Sequence, residues 1–199
     1  MEQLAPYNPF IGQHLLTHAE GITADRAYIA HYVIPAAKAV AAGAANVLAA
    51  TELTAEELEI TEGITQPPTP RVLSITGNAG DITGNVTIAG TDIAGAAITD
   101  TIAASGTSTV VGAKAFATVS KITLPTKTGE ATETISVGLS HAFGLPYRLP
   151  YDTVLKIYNN GTATTVDTGS SFDASDLAAN YIKPTAALSG HQVDVYLIV

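Results

Sequence analysis

The stretch TVLKIYNNGTATTVD, Thr153–Asp167, contains the clearest fold signal in the chain. An Asn-Gly pair tolerates the positive φ angles that a type I′ turn requires, so Asn160-Gly161 predicts a tight hairpin. The flanking segments, Thr153–Tyr158 and Thr162–Asp167, are rich in β-branched and aromatic residues, which favour strands. We therefore expect the two segments to pair as antiparallel strands.

The same pattern of short apolar strands and turns rich in Gly, Asn and Asp continues on both sides of this hairpin. Strands do not alternate with long helical segments, which argues against a parallel α/β fold. The pattern predicts an all-β fold, an antiparallel β-sandwich or barrel-like domain. The further predicted strands are Arg26–Ile34, Arg71–Thr76, Asn85–Gly90, Ala96–Ala103, Thr107–Val111, Ala113–Leu124, Thr132–Leu139, Gly144–Leu149 and His191–Val199.

Three segments are ambiguous at this level. Ala36–Ala50 is rich in alanine, the best helix former, but Gly43 and Asn46 interrupt it, and we predict two short strands around an Ala-Gly turn. Thr54–Ile60 begins with a capping-box pattern that allows one helical turn, with a strand over Leu58–Glu62 as the alternative. A short helix within Phe172–Asn180 would be capped by Ser171 or Asp173.

The chain before the main β region divides into three predicted parts. Residues 1–24 contain several prolines and glycines and are expected to form an extended N-terminal arm. The arm is apolar, whereas a free tail is usually polar, so we expect it to dock on its own domain or on a neighbouring subunit. Residues 25–65 form a small β-rich segment, and the proline-rich connector 66–70 separates it from the main domain, 71–199.

Composition excludes several classes of function. The chain has no cysteine, which excludes disulfide frameworks, zinc–thiolate sites and a thiol nucleophile. Its formal net charge is −9, and Lys plus Arg number only 9, without a basic run. Because nucleic-acid binding depends on cations that neutralise phosphates, we expect no nucleic-acid partner. An anionic surface is also repelled by anionic membranes, and no membrane partner is expected.

Motifs for catalysis or metal binding are weak. His14 and His18 lie four residues apart, but the segment has no helical pattern and no third ligand nearby. The alternating oxygen ligands of Asp81-x-Thr83-x-Asn85 resemble the start of a calcium loop, which here lacks the terminal glutamate. Neither a G-x-S-x-G elbow nor a G-x-G-x-x-G loop occurs. We expect a protein that is not an enzyme and has no cofactor or metal.

A series of turn and strand signatures resembles a group of tailed-bacteriophage virion structural proteins of the capsid decoration, or cement, type. The resemblance covers about residues 24–158 and implies a β-rich fold without a cofactor or active-site residues. The stretches that carry it are Ile64–Arg71, Ser74–Ala79, Gly84–Asp92, Gly95–Ile102, Lys114–Phe116 and Gly144–Tyr147.

The resulting hypothesis is a decoration protein that binds the assembled capsid shell through its arm and its β-edges. The expected partners are the major capsid protein and further copies of the chain, as a homotrimer. The expected location is the capsid surface of a virion, after synthesis in the bacterial host cytoplasm. A tail, adaptor or head-fibre protein and a receptor- or carbohydrate-binding module are the alternatives. The candidate contact residues are Leu4, Tyr7, Phe10, Ile11, Leu15, Leu16, Pro67, Pro68 and Pro70.

Overall fold

The structure, a computed structural model, describes residues 28–129 and 132–199, together with the backbone of two short strands near the N-terminus. Strands make up 51% of the chain and helix 4%, and the strands form antiparallel sheets packed together as a β-sandwich. The all-β prediction is thus confirmed, and the sheets do not close into a barrel. No helix in the described residues is long and apolar enough to cross a membrane.

The connections between the strands include one-turn 3₁₀ helices at Ala36–Lys38 and Leu177–Ala179. Their bounds are β1 His14–Leu16, β2 Thr23–Asp25, β3 Ile29–Ile34, β4 Gly43–Glu52, β5 Leu58–Ile60, β6 Arg71–Gly77, β7 Asn85–Thr91, β8 Ala97–Ala103, β9 Val110–Phe116, β10 Thr118–Leu124, β11 Thr134–Gly144, β12 Val154–Asn159, β13 Thr162–Thr164, β14 Tyr181–Ile182 and β15 Val193–Ile198.

Three antiparallel sheets account for most of these strands, and β1 and β2 pair as a separate hairpin. The front sheet has the order β5-β10-β7-β8. The central sheet has the order β14-β11-β6-β9, with β4 also paired to β11. The terminal sheet has the order β13-β12-β15-β3, so it joins a strand near the N-terminus to the last strand of the chain.

The first hydrophobic core lies between the front and central sheets. It is built by the period-2 alternation of strands from both sheets, each of which turns one apolar row inward. Its buried members are Val47, Leu48, Leu53, Leu73, Ile75, Ile82, Val86, Ile88, Ile102, Phe116, Val119, Ile122, Leu124, Ile135, Val137 and Leu139.

A second core lies between the terminal sheet and the end of β11. Phe143 of β11 is fully buried there, next to Ile182 of β14. Phe143 also meets the ring of Tyr32 in β3, with ring centroids 6.4 Å apart. The other buried members are Ile34, Ala39, Leu145, Leu149, Ile157, Leu188, Val193, Val195 and Leu197. A single strand, β11, therefore contributes to both cores.

The strands of the predicted segment 25–65 are distributed over all three sheets. Strand β3 pairs with β15, β4 pairs with β11, and β5 pairs with β10. These pairings are long-range, and they leave the segment without a sheet of its own among the described residues. The connector 66–70 is consequently not a boundary between separately built units.

The structure also decides the ambiguous segments. The prediction of two short strands within Ala36–Ala50 is wrong: a 3₁₀ turn at Ala36–Lys38 is followed by the single strand β4, which begins at Gly43 and continues through Asn46. Pairing with β11 explains the difference, because Gly138 lets the two backbones come close; a Cβ atom there would clash with the carbonyl oxygen of Gly43.

The two predicted helical turns have different outcomes. Leu58–Ile60 is strand β5, so the strand alternative to a capping box is confirmed. The predicted turn of helix before Asn180 exists as the 3₁₀ turn Leu177–Ala179. Its cap is Asp176, which accepts a hydrogen bond from the backbone N–H of Ala178, and not Ser171 or Asp173.

The hairpin predicted from Asn160-Gly161 is confirmed. Strands β12 and β13 pair with Asn159 opposite Thr162, and φ is +51° at Asn160 and +72° at Gly161. No heavy atom lies within 4 Å of a Cβ built on Gly161, so the glycine is required by its backbone angle and not by crowding.

We predict that Gly161→Ala lowers the free energy of unfolding by about 1 kcal/mol, because an L-residue is strained at this φ. Chemical denaturation monitored by circular dichroism measures the change. Gly80→Ala is the matched control: its Cβ would also meet open space, and its φ is not in the left-handed region. We expect the control to stay within about 0.5 kcal/mol of wild type. Equal losses in both variants would contradict the explanation.

Candidate interaction surface

The guanidinium of Arg71 in β6 is a buried charge, and the residue is fully inaccessible. Its Nη1 donates a hydrogen bond to the carbonyl oxygen of Val40 at 2.8 Å, and its Nη2 donates to that of Ser140. Nε has no partner among the described residues. Burial lowers the pKa of Arg71 to about 10. The cation thus connects β6 to β11 and to the segment before β4, which is a structural role.

A pocket of about 500 Å³ opens on the outer side of the central sheet. Small residues such as Gly43, Ala44 and Gly112 line it, together with His141 and Lys183. Burial, and then the positive charges of Arg71 and Lys183, lower the pKa of His141 below its usual value. Its Nδ1 is buried without a partner in the described part of the chain.

The charge of Lys183 at this pocket is already matched. Its Nζ lies 3.3 Å from Oδ1 of Asp167, and that carboxylate also accepts the backbone N–H of Gly169 at 2.9 Å. Hydrogen bonding by Gly169 and Lys183 lowers the pKa of Asp167. Lys183 is thus paired within the chain, and the lowered pKa of His141 favours its neutral imidazole.

Acidic side chains elsewhere bind the backbone of their own chain. Glu133 accepts hydrogen bonds from the backbone N–H groups of Thr128, at 2.8 Å, and Gly129, and these bonds lower its pKa. Oδ2 of Asp100 accepts the N–H groups of Ala113 and Lys114 in the neighbouring sheet, at 2.7 and 3.2 Å. Residues 28–129 and 132–199 contain no group of three or more His, Asp or Glu side chains that could hold a metal ion.

The contact residues predicted in the arm lie mostly outside the described structure. Leu4, Tyr7, Phe10 and Ile11 fall in residues 1–13, which the structure does not describe. The backbone of Leu15 and Leu16 belongs to β1, opposite Ala24 and Thr23 of β2.

The predicted contact residues of the proline-rich connector are built into the fold. Pro67 is buried, and Pro68 and Pro70 are partly buried. The carbonyl oxygen of Pro70 accepts the N–H of Gly144 at 2.8 Å. Just before the prolines, the side-chain amide of Gln66 donates to and accepts from the backbone of Val119. The connector thus ties the front and central sheets together, and Pro67 is buried within the chain itself.

A different surface, which sequence reasoning did not single out, is the outer side of the terminal sheet. We call it the terminal-sheet face. The side chains on it alternate with those that enter the second core, and several are apolar yet accessible: the exposed fraction is 69% for Ile29, 37% for Val33 and 36% for Ile198. Its members are Ile29, His31 and Val33 of β3, Asp194, Tyr196 and Ile198 of β15, and Lys156 and Tyr158 of β12.

Ring contacts order the middle of this face. The rings of His31 and Tyr196 are stacked, with centroids 4.4 Å apart and planes within 3°. Tyr158 meets Tyr196 edge-on at 6.2 Å. Nε2 of His31 lies 2.8 Å from Oδ1 of Asp194, within hydrogen-bond distance. These contacts join β3, β15 and β12 across the middle of the face. The sequence did contain a signal for this surface, because β3 has apolar residues on both of its faces. A strand with only one buried face needs apolar residues on that face alone.

No protein-family model, curated protein or solved structure matches the chain.

We predict that Glu133→Gln reduces stability at neutral pH, and that the deficit shrinks as the pH falls below about 4.5. The folded-state pKa of Glu133 lies below its usual value of 4.5. The stabilisation is therefore present above the unfolded pKa and is lost as the pH falls through the folded pKa. Urea unfolding of both proteins across this range measures it. Glu57→Gln, at an exposed glutamate, is the control. A deficit in Glu133→Gln that does not change with pH would contradict the assignment.

Proposed function

We propose that the chain is a capsid decoration protein of a tailed bacteriophage, which binds the major capsid protein on the assembled shell and stabilises it. The observation that carries the proposal is the accessible apolar terminal-sheet face. Contiguous apolar groups with a polar surround mark protein interaction surfaces, and large interface cores are poor in charge and rich in aromatic residues. The resemblance of residues 24–158 to virion structural proteins supplies the kind of partner.

The most exposed apolar residue of the face lies at the start of β3, close to Val199. Strand β3 follows the N-terminal segment directly, and Ile29, its first residue, has the largest exposure among the apolar residues of the face. The N–H of Tyr28 donates to the carbonyl of Val199 at 3.0 Å, and the reverse bond measures 2.9 Å. Tyr28, just before β3, and Val199 are therefore paired at one corner of the terminal sheet.

Charge is consistent with a protein partner. The chain carries a net charge of −9 and has few cations. Several of these are paired internally, as in Lys121 with Glu59 at 2.7 Å and Lys114 with Asp176 at 3.4 Å. The proposal accordingly includes neither nucleic acid nor membrane. It places the protein on the virion surface after synthesis in the host cytoplasm, together with further copies of itself.

A carbohydrate- or receptor-binding module is the second candidate, because Tyr151 is 68% exposed and sugar rings stack on such aromatic side chains. The rings on the terminal-sheet face favour the first proposal, since His31 already covers one side of Tyr196. A tail, adaptor or head-fibre position would use the same face against another virion protein. Binding to isolated tails, or to a glycan array in a Tyr151-dependent manner, distinguishes these cases.

We predict saturable binding of the protein to capsid shells stripped of accessory proteins, at a fixed ratio to the capsid subunit and with a raised melting temperature of the shell. Ile198→Lys places a charge on the face and should weaken binding at least about tenfold, because an unpaired charge is costly in an apolar interface. Val40→Lys is the matched control, since Val40 is 37% exposed outside this face. Co-sedimentation and scanning calorimetry measure both quantities.

A variant without residues 1–13 distinguishes binding through the arm from binding through the terminal-sheet face. Loss of binding in this variant alone would assign the contact to the arm, and loss in both would assign it to the two together. Absence of binding by the full-length chain, or equal binding by Ile198→Lys and the control with the arm intact, would contradict the proposed role of the face.

A further inference from the structure

On its outer edge, away from β15, strand β3 has a row of backbone hydrogen-bonding groups that pairs with no other strand in the described part of the chain. The backbone N–H groups of Tyr28 and Val199 each donate to the carbonyl oxygen of the other residue. In an antiparallel pair, this determines which residues of β3 direct their backbone groups toward β15. Every second residue, Ala30, Tyr32 and Ile34, therefore points its N–H and C=O groups toward β15. Ile29, His31 and Val33 point theirs away from the sheet. Among the described strands, only β15 pairs with β3.

Edge strands elsewhere in the described chain are short, irregular in register, or carry an inward-pointing charged residue. Strands β5 and β13 have three residues each, and β14 has two. The side chain of Asp100 in β8 binds the N–H groups of β9. The register of β4 against β11 shifts twice, and a carbonyl of β4 accepts the N–H of Thr65. Strand β3 has a regular register against β15, and Ile29–Ile34 contains no Asp, Glu, Lys or Arg. It therefore lacks the bulges and charged side chains that usually protect an edge strand from pairing with another chain.

We propose that this edge pairs with β3 of a second copy, antiparallel and about a two-fold axis at His31. In this register Ile29 lies opposite Val33 of the other copy, His31 opposite its own equivalent, and Val33 opposite Ile29. All of these residues point their backbone groups outward, so each pair can exchange two hydrogen bonds. The exposed Ile29 and Val33 side chains meet across the axis on both sides of it.

Other registers are worse. A slip by one residue places residues of the terminal-sheet face opposite residues of the core side. A slip by two in one direction brings Ile29 opposite Pro35, which has no N–H. A slip by two in the other direction brings Val33 opposite position 27, before β3 begins at Ile29. The strand is thus self-complementary in one register.

The pair has a defined shape. Because the axis is perpendicular to the sheet, the strands form a continuous sheet with the order β13-β12-β15-β3-β3-β15-β12-β13, and both terminal-sheet faces lie on the same side. This interface is isologous and closes with two copies, in contrast to the homotrimer expected from the sequence. If the proposed function holds, the pair binds the shell bivalently, which raises its apparent affinity.

Sedimentation velocity over a concentration series tests the pairing in the absence of any shell, so its result is independent of the proposed function. One strand from each copy is a small interface, and such interfaces are typically weak. We therefore expect monomers at low concentration and dimers at high concentration. Val33→Lys puts a charge at the contact, and His31→Pro removes an outward N–H that β15 does not use; each should weaken dimerisation at least about tenfold. Val40→Lys, at the same exposure of 37%, should leave it unchanged.

Amide exchange measured by NMR identifies the edge directly and confirms that the variants fold. The N–H groups of Ile29, His31 and Val33 should become protected as concentration rises, while those of Ala30, Tyr32 and Ile34 should be protected throughout. A monomer at all concentrations, a trimer, or a dimer that Val33→Lys leaves intact would overturn the proposal. So would concentration-independent protection that is lost when residues 1–13 are removed, because the chain's own arm would then cover the edge.

Discussion

The rest of the structure depends on one strand, β11, being buried on both faces and on both edges. Along Thr134–Gly144 it pairs with β6 on one side and with β4 and then β14 on the other. Ile135, Val137 and Leu139 fill the core under the front sheet, and Phe143 enters the core under the terminal sheet. Because Phe143 contacts Tyr32 of β3, the strand that builds the sandwich also positions the outer edge of the molecule. The terminal-sheet face is therefore held at a fixed place on a rigid body.

Charged groups in this chain mainly maintain the fold. Arg71 binds two backbone carbonyls from within the interior, and the carboxylates of Asp100 and Glu133 bind backbone N–H groups. Such bonds satisfy polar groups that would otherwise be costly to bury. With few charged residues in total and several used internally, part of the accessible surface is apolar. That combination, a stable body with an ordered and partly apolar face, suits the proposed role of lying against other subunits.

The parts of the fold that depend on local chemistry could be predicted from the sequence, and the parts that depend on distant contacts could not. The Asn160-Gly161 hairpin and the alternating strands carry their own signals. The pairing of β3 with β15 joins opposite ends of the chain, and no local pattern records it. The same limit applies to the candidate surface. β3 is largely apolar on both faces and β11 on only one, yet β11 is covered on both while Ile29 and Val33 of β3 are accessible. Pro67 was predicted to face a partner from its stiffness, but stiffness does not reveal that a residue is buried.

The most direct test of a role in capsid decoration is an electron cryomicroscopy reconstruction of stripped shells to which the purified protein has been added back. The account predicts additional density at a repeated position on the outer surface of the shell, into which the sandwich fits with the terminal-sheet face toward the capsid subunits. Shells without additional density, or density that fits the sandwich with that face directed to solvent, would contradict it.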